Sequence, residues 1–260
     1  MYEPDFTPVK PWPLPARDAC FFYTCMDLPD GETIEGVNWD IRGRFDTYIG
    51  GVDVAGKTVL DVGTASGFLA FSAEAAGASR VVAVDALHAQ EFHRVPFKGS
   101  PYTERRRKWI ADTNHYLDGL KRSFWYSWHK RGSAVEAVYM PAVELWKWHE
   151  RFDIVIAGAI VEHISDPVPF IHTLARLAKE TVVVAFTPVG SSDEQIMRTM
   201  NDWDQPNFNY TWWELSIGLY RRIFGNLGFE VELRTAQALC NELDPPRIVE
   251  QPTLIARRLP

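Results

Sequence analysis

Thr58-Val-Leu-Asp-Val-Gly-Thr-Ala-Ser-Gly-Phe68, followed by Arg80-Val-Val-Ala-Val-Asp85, is the stretch that decides the fold. Two short β-branched runs are joined by a turn of small residues and an alanine-rich segment, 68–76, that stops at Gly77. This pattern predicts strand, turn, helix and strand within a parallel sheet covered on both faces. Gly63, Ala65 and Gly67 carry little or no side chain, so the backbone can turn sharply and a ligand can lie against it. Asp85 would close the second strand, where its carboxylate can accept both hydroxyl hydrogens of a ribose. The spacing is not the GxGxxG of a pyrophosphate site, and a carboxylate at Asp61 would repel pyrophosphate while suiting an ammonium, directly or through water. An adenosine with a cationic tail across the strand ends is the expected ligand.

Outward from this stretch, 133–140, 152–158 and 181–186 read as the third, fourth and fifth strands, each a short β-branched run. Asp166-Pro167 offers an N-cap and a first-turn proline to a helix whose apolar stripe is Phe170, Ile171, Leu174 and Leu177. Thr211 to Glu214 has capping-box spacing, and Trp213, Ile217, Tyr220, Ile223 and Leu227 repeat on one face until Gly228. Segments 229–234 and 253–258 complete the set as two final strands, the last antiparallel. At the other end, residues 1–19 hold five prolines and read as an extended arm rather than a packed element. Pro29-Asp30-Gly31 then predicts a small hairpin. The division expected is an arm and hairpin extension at 1–50 and a main domain at 51–260.

Asp61-Val-Gly-Thr-Ala-Ser-Gly67 followed by Val81 to Asp85 resembles motifs I and II of the class I S-adenosylmethionine-dependent methyltransferases, with Ala65 where a glycine is commoner. The resemblance covers residues 57 to about 235. It implies a Rossmann-like α/β fold with a seven-stranded sheet, S-adenosylmethionine as cofactor, and a site built from Asp61, Gly63, Thr64, Ala65, Gly67, Phe68, Asp85 and Ala86. By the same likeness Met140, Pro141 and Ala142 would flank the adenine and Gly158 the methionine side; Arg44 is counted with this cofactor set. A narrower resemblance, carried by LPDGETIEG, WDIRGRFD and GKTVLDVG, is to the family that includes the tRNA wobble-uridine carboxymethyltransferase. There a tyrosine in a VLYH segment helps hold the extra carboxylate of the cofactor. Here the segment is Ile160-Val-Glu-His163, and a glutamate would repel that carboxylate, so ordinary S-adenosylmethionine is expected.

The net charge of -7 supplies no overall field toward nucleic acid or anionic membranes. Three cysteines without metal-like or disulfide-dense spacing point to a reducing compartment, and the cytoplasm is expected. Neither a leader peptide nor an apolar run of membrane-spanning length is read in the sequence, and no metal is expected.

Residues 86–132 exceed what a strand-helix-strand connection needs and predict a helical cap. Its cations, Arg105 to Lys108, Lys121, Arg122, Lys130 and Arg131, alternate with Tyr102, Trp109, Tyr116, Trp125 and Trp128, as in single-stranded nucleic-acid binders. Ile110, Leu117, Leu120 and Phe124 form an apolar face, and an amphipathic cap with a solvated basic side accounts for the same pattern more simply. An anionic small substrate is the third reading. Phe208, Tyr210 and Trp212, after the fifth strand, are the substrate-binding candidates and favour a flat or apolar small molecule. His163, just past the fourth strand, is the candidate general base, against the plainer reading that it opens a loop. Methylation of an oxygen or nitrogen of a small-molecule acceptor is the expected function. A tRNA-modifying enzyme is the runner-up, and a non-catalytic cofactor-binding protein the third possibility.

Overall fold

The computed structural model describes residues 6–92, 94, 98–186, 193–200 and 212–260. In chain order the elements are β1 (Met26–Asp27), β2 (Thr33–Ile34), β3 (Trp39–Asp40), α1 (Phe45–Tyr48), β4 (Thr58–Val62), α2 (Phe68–Ala75), β5 (Arg80–Asp85), α3 (Pro101–Glu104) and α4 (Arg106–Arg131). They continue with β6 (Glu136–Tyr139), β7 (Phe152–Gly158), α5 (Pro167–Leu177), β8 (Ala178–Ala185), β9 (Met197–Thr199), β10 (Trp213–Leu215), α6 (Ile217–Asn226), β11 (Phe229–Cys240) and β12 (Arg247–Arg258).

The main sheet has the order β3-β11-β12-β8-β7-β4-β5-β6. Strands β6, β5, β4, β7 and β8 are mutually parallel, and β12 runs antiparallel to both β8 and β11. This is a Rossmann-like α/β sheet with its last strand antiparallel, as expected. The strand count differs: seven strands form the expected set, and β3, from the N-terminal extension, adds an eighth by pairing Asp40 with Leu239 and Trp39 with Cys240. Strands β11 and β12 run past the segments 229–234 and 253–258 because their far ends pair with each other, and β11 also with β3.

Period-two alternation divides β4 between the two sides of the sheet. Leu60 and Val62 join a cluster with Leu174, Tyr220 and Phe224 of α5 and α6, while Val59 joins Ala70, Phe71, Phe124 and Trp125 of α2 and α4. Burying each such large apolar side chain stabilises the fold by roughly 1.5–3 kcal/mol. Helix α5 starts at the expected Asp166-Pro167, although the Asp166 side chain accepts from the Ser165 hydroxyl instead of capping. Helix α6 starts later than the 211–214 spacing implies. Trp213 to Leu215 pair with β9, and Ser216 is the cap, accepting from the Leu219 N–H at 3.2 Å.

The expected hairpin is present as β1 and β2, turning through Gly31 at φ +89°. The proline-rich arm differs from expectation, for it packs against the molecule. Its Val9 N–H donates to the Ala137 carbonyl of the edge strand β6 at 2.8 Å, and the Trp12 ring lies 6.4 Å from that of Trp125. An open strand edge needs cover, and a proline-rich extended segment supplies it. Helix α4 is both crossover and cap: Phe124 and Trp125 lie in the sheet core, while Lys108, Trp109 and Tyr116 stand over the strand ends. The extension crosses α4 at Gly119, where the Phe21 ring occupies the space of the missing side chain and the Phe21 N–H donates to the Gly119 carbonyl at 3.0 Å. Among the described residues no helix is long and apolar enough to cross a membrane.

Candidate functional site

The turn after β4 is drawn tight because the N–H groups of Gly63 and Thr64 both donate to the Val84 carbonyl, at 2.9 and 3.1 Å. A β-carbon at Gly63 would stand 2.7 Å from Ile160 Cδ1, so the wall is closed to a side chain there. Ala65 occupies the left-handed region at φ +48°, a conformation that costs an L-residue roughly 1–2 kcal/mol. Its reward is direct: the Ala65 N–H donates to Asp85 Oδ2 at 2.7 Å, while the Ala86 N–H donates to Oδ1, also at 2.7 Å. Both carboxylate oxygens are thus oriented by backbone and keep lone pairs for a diol. Burial raises the Asp85 pKa, and these two N–H groups and the charge of Lys121 oppose the shift.

Asp61 lies behind the turn and is 1 % exposed. Among the described residues no donor reaches either of its carboxylate oxygens with hydrogen-bond geometry, although the Thr64 hydroxyl and the Ala70 N–H lie close enough to temper its charge. Burial, aided by the nearby Asp85 carboxylate, pushes its pKa up to about 7. A buried carboxylate without a counter-charge is the partner a ligand cation at this turn would satisfy. The chemistry of S-adenosylmethionine, the cofactor expected from the sequence, matches a diol acceptor at Asp85, which lines the cavity over the strand ends, whereas Asp61 is closed off behind the turn and outside that lining, so its charge could reach an ammonium only at a distance.

Over these strand ends the described residues line a cavity of about 1200 Å³. Of the residues expected to hold the cofactor, Gly63, Thr64, Ala65 and Phe68 line it along the turn, Asp85 and Ala86 at the end of β5, and Ala142 and Gly158 beyond them. His163, in the single 3-10 turn after β7, lines it too. Gly67 stands behind the wall, where a β-carbon would collide with Phe71 and Phe124; Met140 and Pro141 are also absent from the lining. Arg44 points elsewhere, into a shallow depression with Asp27, Asp40 and Arg42, where its guanidinium reaches the Asp40 carbonyl. Trp212 is 2 % exposed and packs edge-on against Tyr102 beside Trp109, and its backbone N–H donates to the Glu162 carbonyl at 2.7 Å; it supports the wall rather than forming it. Phe208 and Tyr210 lie outside the described residues.

The cavity also has walls not anticipated from sequence. Tyr23 and Trp39, joined by an indole N–H donating to the phenol oxygen at 3.1 Å, and Tyr48 come from the N-terminal extension and α1. Tyr116 and Glu162 complete the enclosure. No local pattern marks Tyr23 or Tyr48, which reach the site only because the chain passes over the strand ends before entering β4. Burial raises the Tyr23 pKa to about 12 and that of Tyr48 further, so both phenols stay protonated at neutral pH.

A family model described as a methyltransferase domain matches residues 43–233. The chain belongs to the methyltransferase domain family. A search of curated proteins finds no match to this methyltransferase. Among solved structures, it is similar to magnesium protoporphyrin IX methyltransferase from Synechocystis PCC 6803 with bound SAM, at 16% identity and a TM-score of 0.51, over 84% of this chain and 78% of that one. A putative RNA methyltransferase from Pyrococcus horikoshii gives 12% identity and a TM-score of 0.47 over 80% and 77% of the two chains. The 1,6-didemethyltoxoflavin-N1-methyltransferase from Burkholderia thailandensis gives 16% identity and 0.45 over 78% and 72%. The first of these likenesses establishes the class I fold.

Proposed function

We propose that this methyltransferase moves the methyl group of S-adenosylmethionine to an oxygen or nitrogen of a small-molecule acceptor. The observation that carries the reading is the continuous, partly open cavity of about 1200 Å³, which begins at Asp85 and continues past Gly63 and Gly158 to the aromatic wall of Tyr23, Trp39 and Tyr48. Small-molecule sites typically hold about 300–1,000 Å³, so there is room for cofactor and acceptor together. The alternative of a nucleic-acid strand draws less support. Of the five rings expected to stack on bases, Tyr102, Trp109 and Trp125 are buried and Trp128 is half-buried, leaving Tyr116 exposed, and Lys121, Lys130 and Arg131 are engaged with protein oxygens.

When bound, S-adenosylmethionine supplies an activated methyl carbon, which leaves the protein to align the acceptor and exclude water. Asp85 holds the ribose, Asp61 offsets the ammonium, and the wall of Tyr23, Trp39 and Tyr48 closes the cavity on the side of the extension. Because both phenols keep their protons, they act as donors to the acceptor, and removal of its proton falls to His163. Replacement of His163 by alanine is expected to lower kcat by about 10²- to 10⁴-fold with cofactor affinity unchanged. An unaltered kcat would show that the acceptor is deprotonated without this side chain.

The function itself is tested by release of S-adenosylhomocysteine from the purified protein supplied with S-adenosylmethionine and either a low-molecular-weight metabolite fraction or total RNA. Turnover is expected with the metabolite fraction and should survive nuclease treatment. Turnover with RNA alone would replace this reading by the nucleic-acid one, and turnover with neither would favour a protein that binds the cofactor as a ligand.

A further inference from the structure

Lys121, in the middle of α4, is 4 % exposed, an unusual position for a lysine. Its Nζ donates to the Leu87 carbonyl at 2.6 Å and pairs with Asp118 Oδ1 at 2.8 Å. The Tyr139 and Trp12 rings flank it at 5.8 and 6.0 Å, so β6 and the proline-rich arm shield the ammonium from water. Asp118 alone does not require this burial, since its own side chain is 44% exposed and reachable from the surface. The buried contact is made to a backbone carbonyl two residues beyond Asp85.

We propose that Lys121 is a positioning residue for the cofactor: it clamps the turn at 85–88 through the Leu87 carbonyl and lends the positive charge that keeps the ribose-binding carboxylate of Asp85 ionised. This rests on the reading of Asp85 as the ribose acceptor. The groups that face Asp85 define the balance. Asp61 of β4 and Glu91, in the turn after β5, are acids that disfavour a further negative charge, Tyr139 of β6 and Tyr116 of α4 are phenols, and Lys121 opposes the acids. Between partly buried groups such as these an interaction between charges is stronger than its value in solution. Burial already raises the pKa of Asp85, so removing the cation raises it further, and the ionised, diol-accepting form is then lost at a higher pH as acidity increases.

The test is the affinity of the purified full chain for S-adenosylhomocysteine, measured by calorimetry across the acid-to-neutral range. Lys121→Met is expected to bind roughly tenfold or more weakly at neutral pH. The deficit should shrink as the pH rises, and the midpoint of the pH dependence should move up. Lys121→Arg, which keeps the charge, should retain the wild-type midpoint. Lys121→Gln gives the same reading as Lys121→Met if the latter does not fold. In an Asp85→Asn background the loss of Lys121 should add little. A deficit equal at every pH, or fully additive with Asp85→Asn, would make Lys121 a packing residue and overturn the proposal, as would unchanged affinity. Wild-type protein that fails to bind at all would instead overturn the ribose reading beneath it.

Discussion

Asp85→Ala protein is expected to fold and to show no measurable affinity for S-adenosylmethionine. The carboxylate makes two backbone hydrogen bonds, to the N–H groups of Ala65 and Ala86 at 2.7 Å, and both residues line the cavity. Water entering the cavity can replace the lost acceptor, so the stability cost stays within about 1–3 kcal/mol. Binding suffers more. Two ribose hydroxyls each lose a charged acceptor worth about 1.5–3 kcal/mol, which together correspond to roughly a hundredfold to ten-thousandfold in Kd. Calorimetric titration with a parallel thermal melt separates the two effects. Unchanged affinity in a folded variant would remove the ribose from this end of the cavity.

The second large effect is expected at Asp61, and it has opposite signs for stability and binding. A carboxylate whose folded pKa is raised from 3.8 to about 7 binds its proton more tightly in the native state than in the unfolded chain. Between those values the native state holds the extra proton, so stability falls as pH rises through the window, and above about 7 the full cost of a buried anion is present. Asp61→Asn removes this titration. At pH values above about 7 the variant is expected to be more stable by up to a few kcal/mol, which raises Tm by several degrees. That advantage should fade as the pH falls toward the unfolded pKa. On the proposed reading the same variant lacks the charge that balances the cofactor's ammonium and should bind S-adenosylmethionine at least tenfold more weakly. Melting curves at several pH values check the first expectation. A variant less stable than wild type throughout would mean that Asp61 finds a donor in solution and is not a charge held for a ligand.

Both effects come from residues visible in the sequence, and the reason is local. A strand, a turn and a helix in succession are specified by neighbours within a few positions, so β4, α2 and β5 stand where the pattern from Thr58 to Asp85 places them, and β7 has the bounds its apolar run suggests. The start of α6 was harder to read because Thr211 to Glu214 satisfies the capping-box spacing while Trp213 to Leu215 also satisfies a strand. Pairing with β9, a non-local contact, selects the strand. The aromatic and basic residues of α4 were ambiguous for a similar reason. Helical spacing shows that Lys121 and Trp125 share a helix with Lys108 and Tyr116, but not which of its faces meets the sheet, the arm or the cavity.

Sequence alone therefore determined the strands of the parallel α/β sheet, the tight turn after β4, and the two carboxylates at its ends, since each depends on contiguous residues. Only the tertiary structure decided that the proline-rich arm covers the edge of β6, that β3 joins the sheet, that Arg44 and Trp212 stand outside the cavity, and that Tyr23, Tyr48 and Lys121 belong to the site or its support. Those placements join segments separated by scores of residues, and their energy comes from burial and desolvation that exist only once the layers have closed.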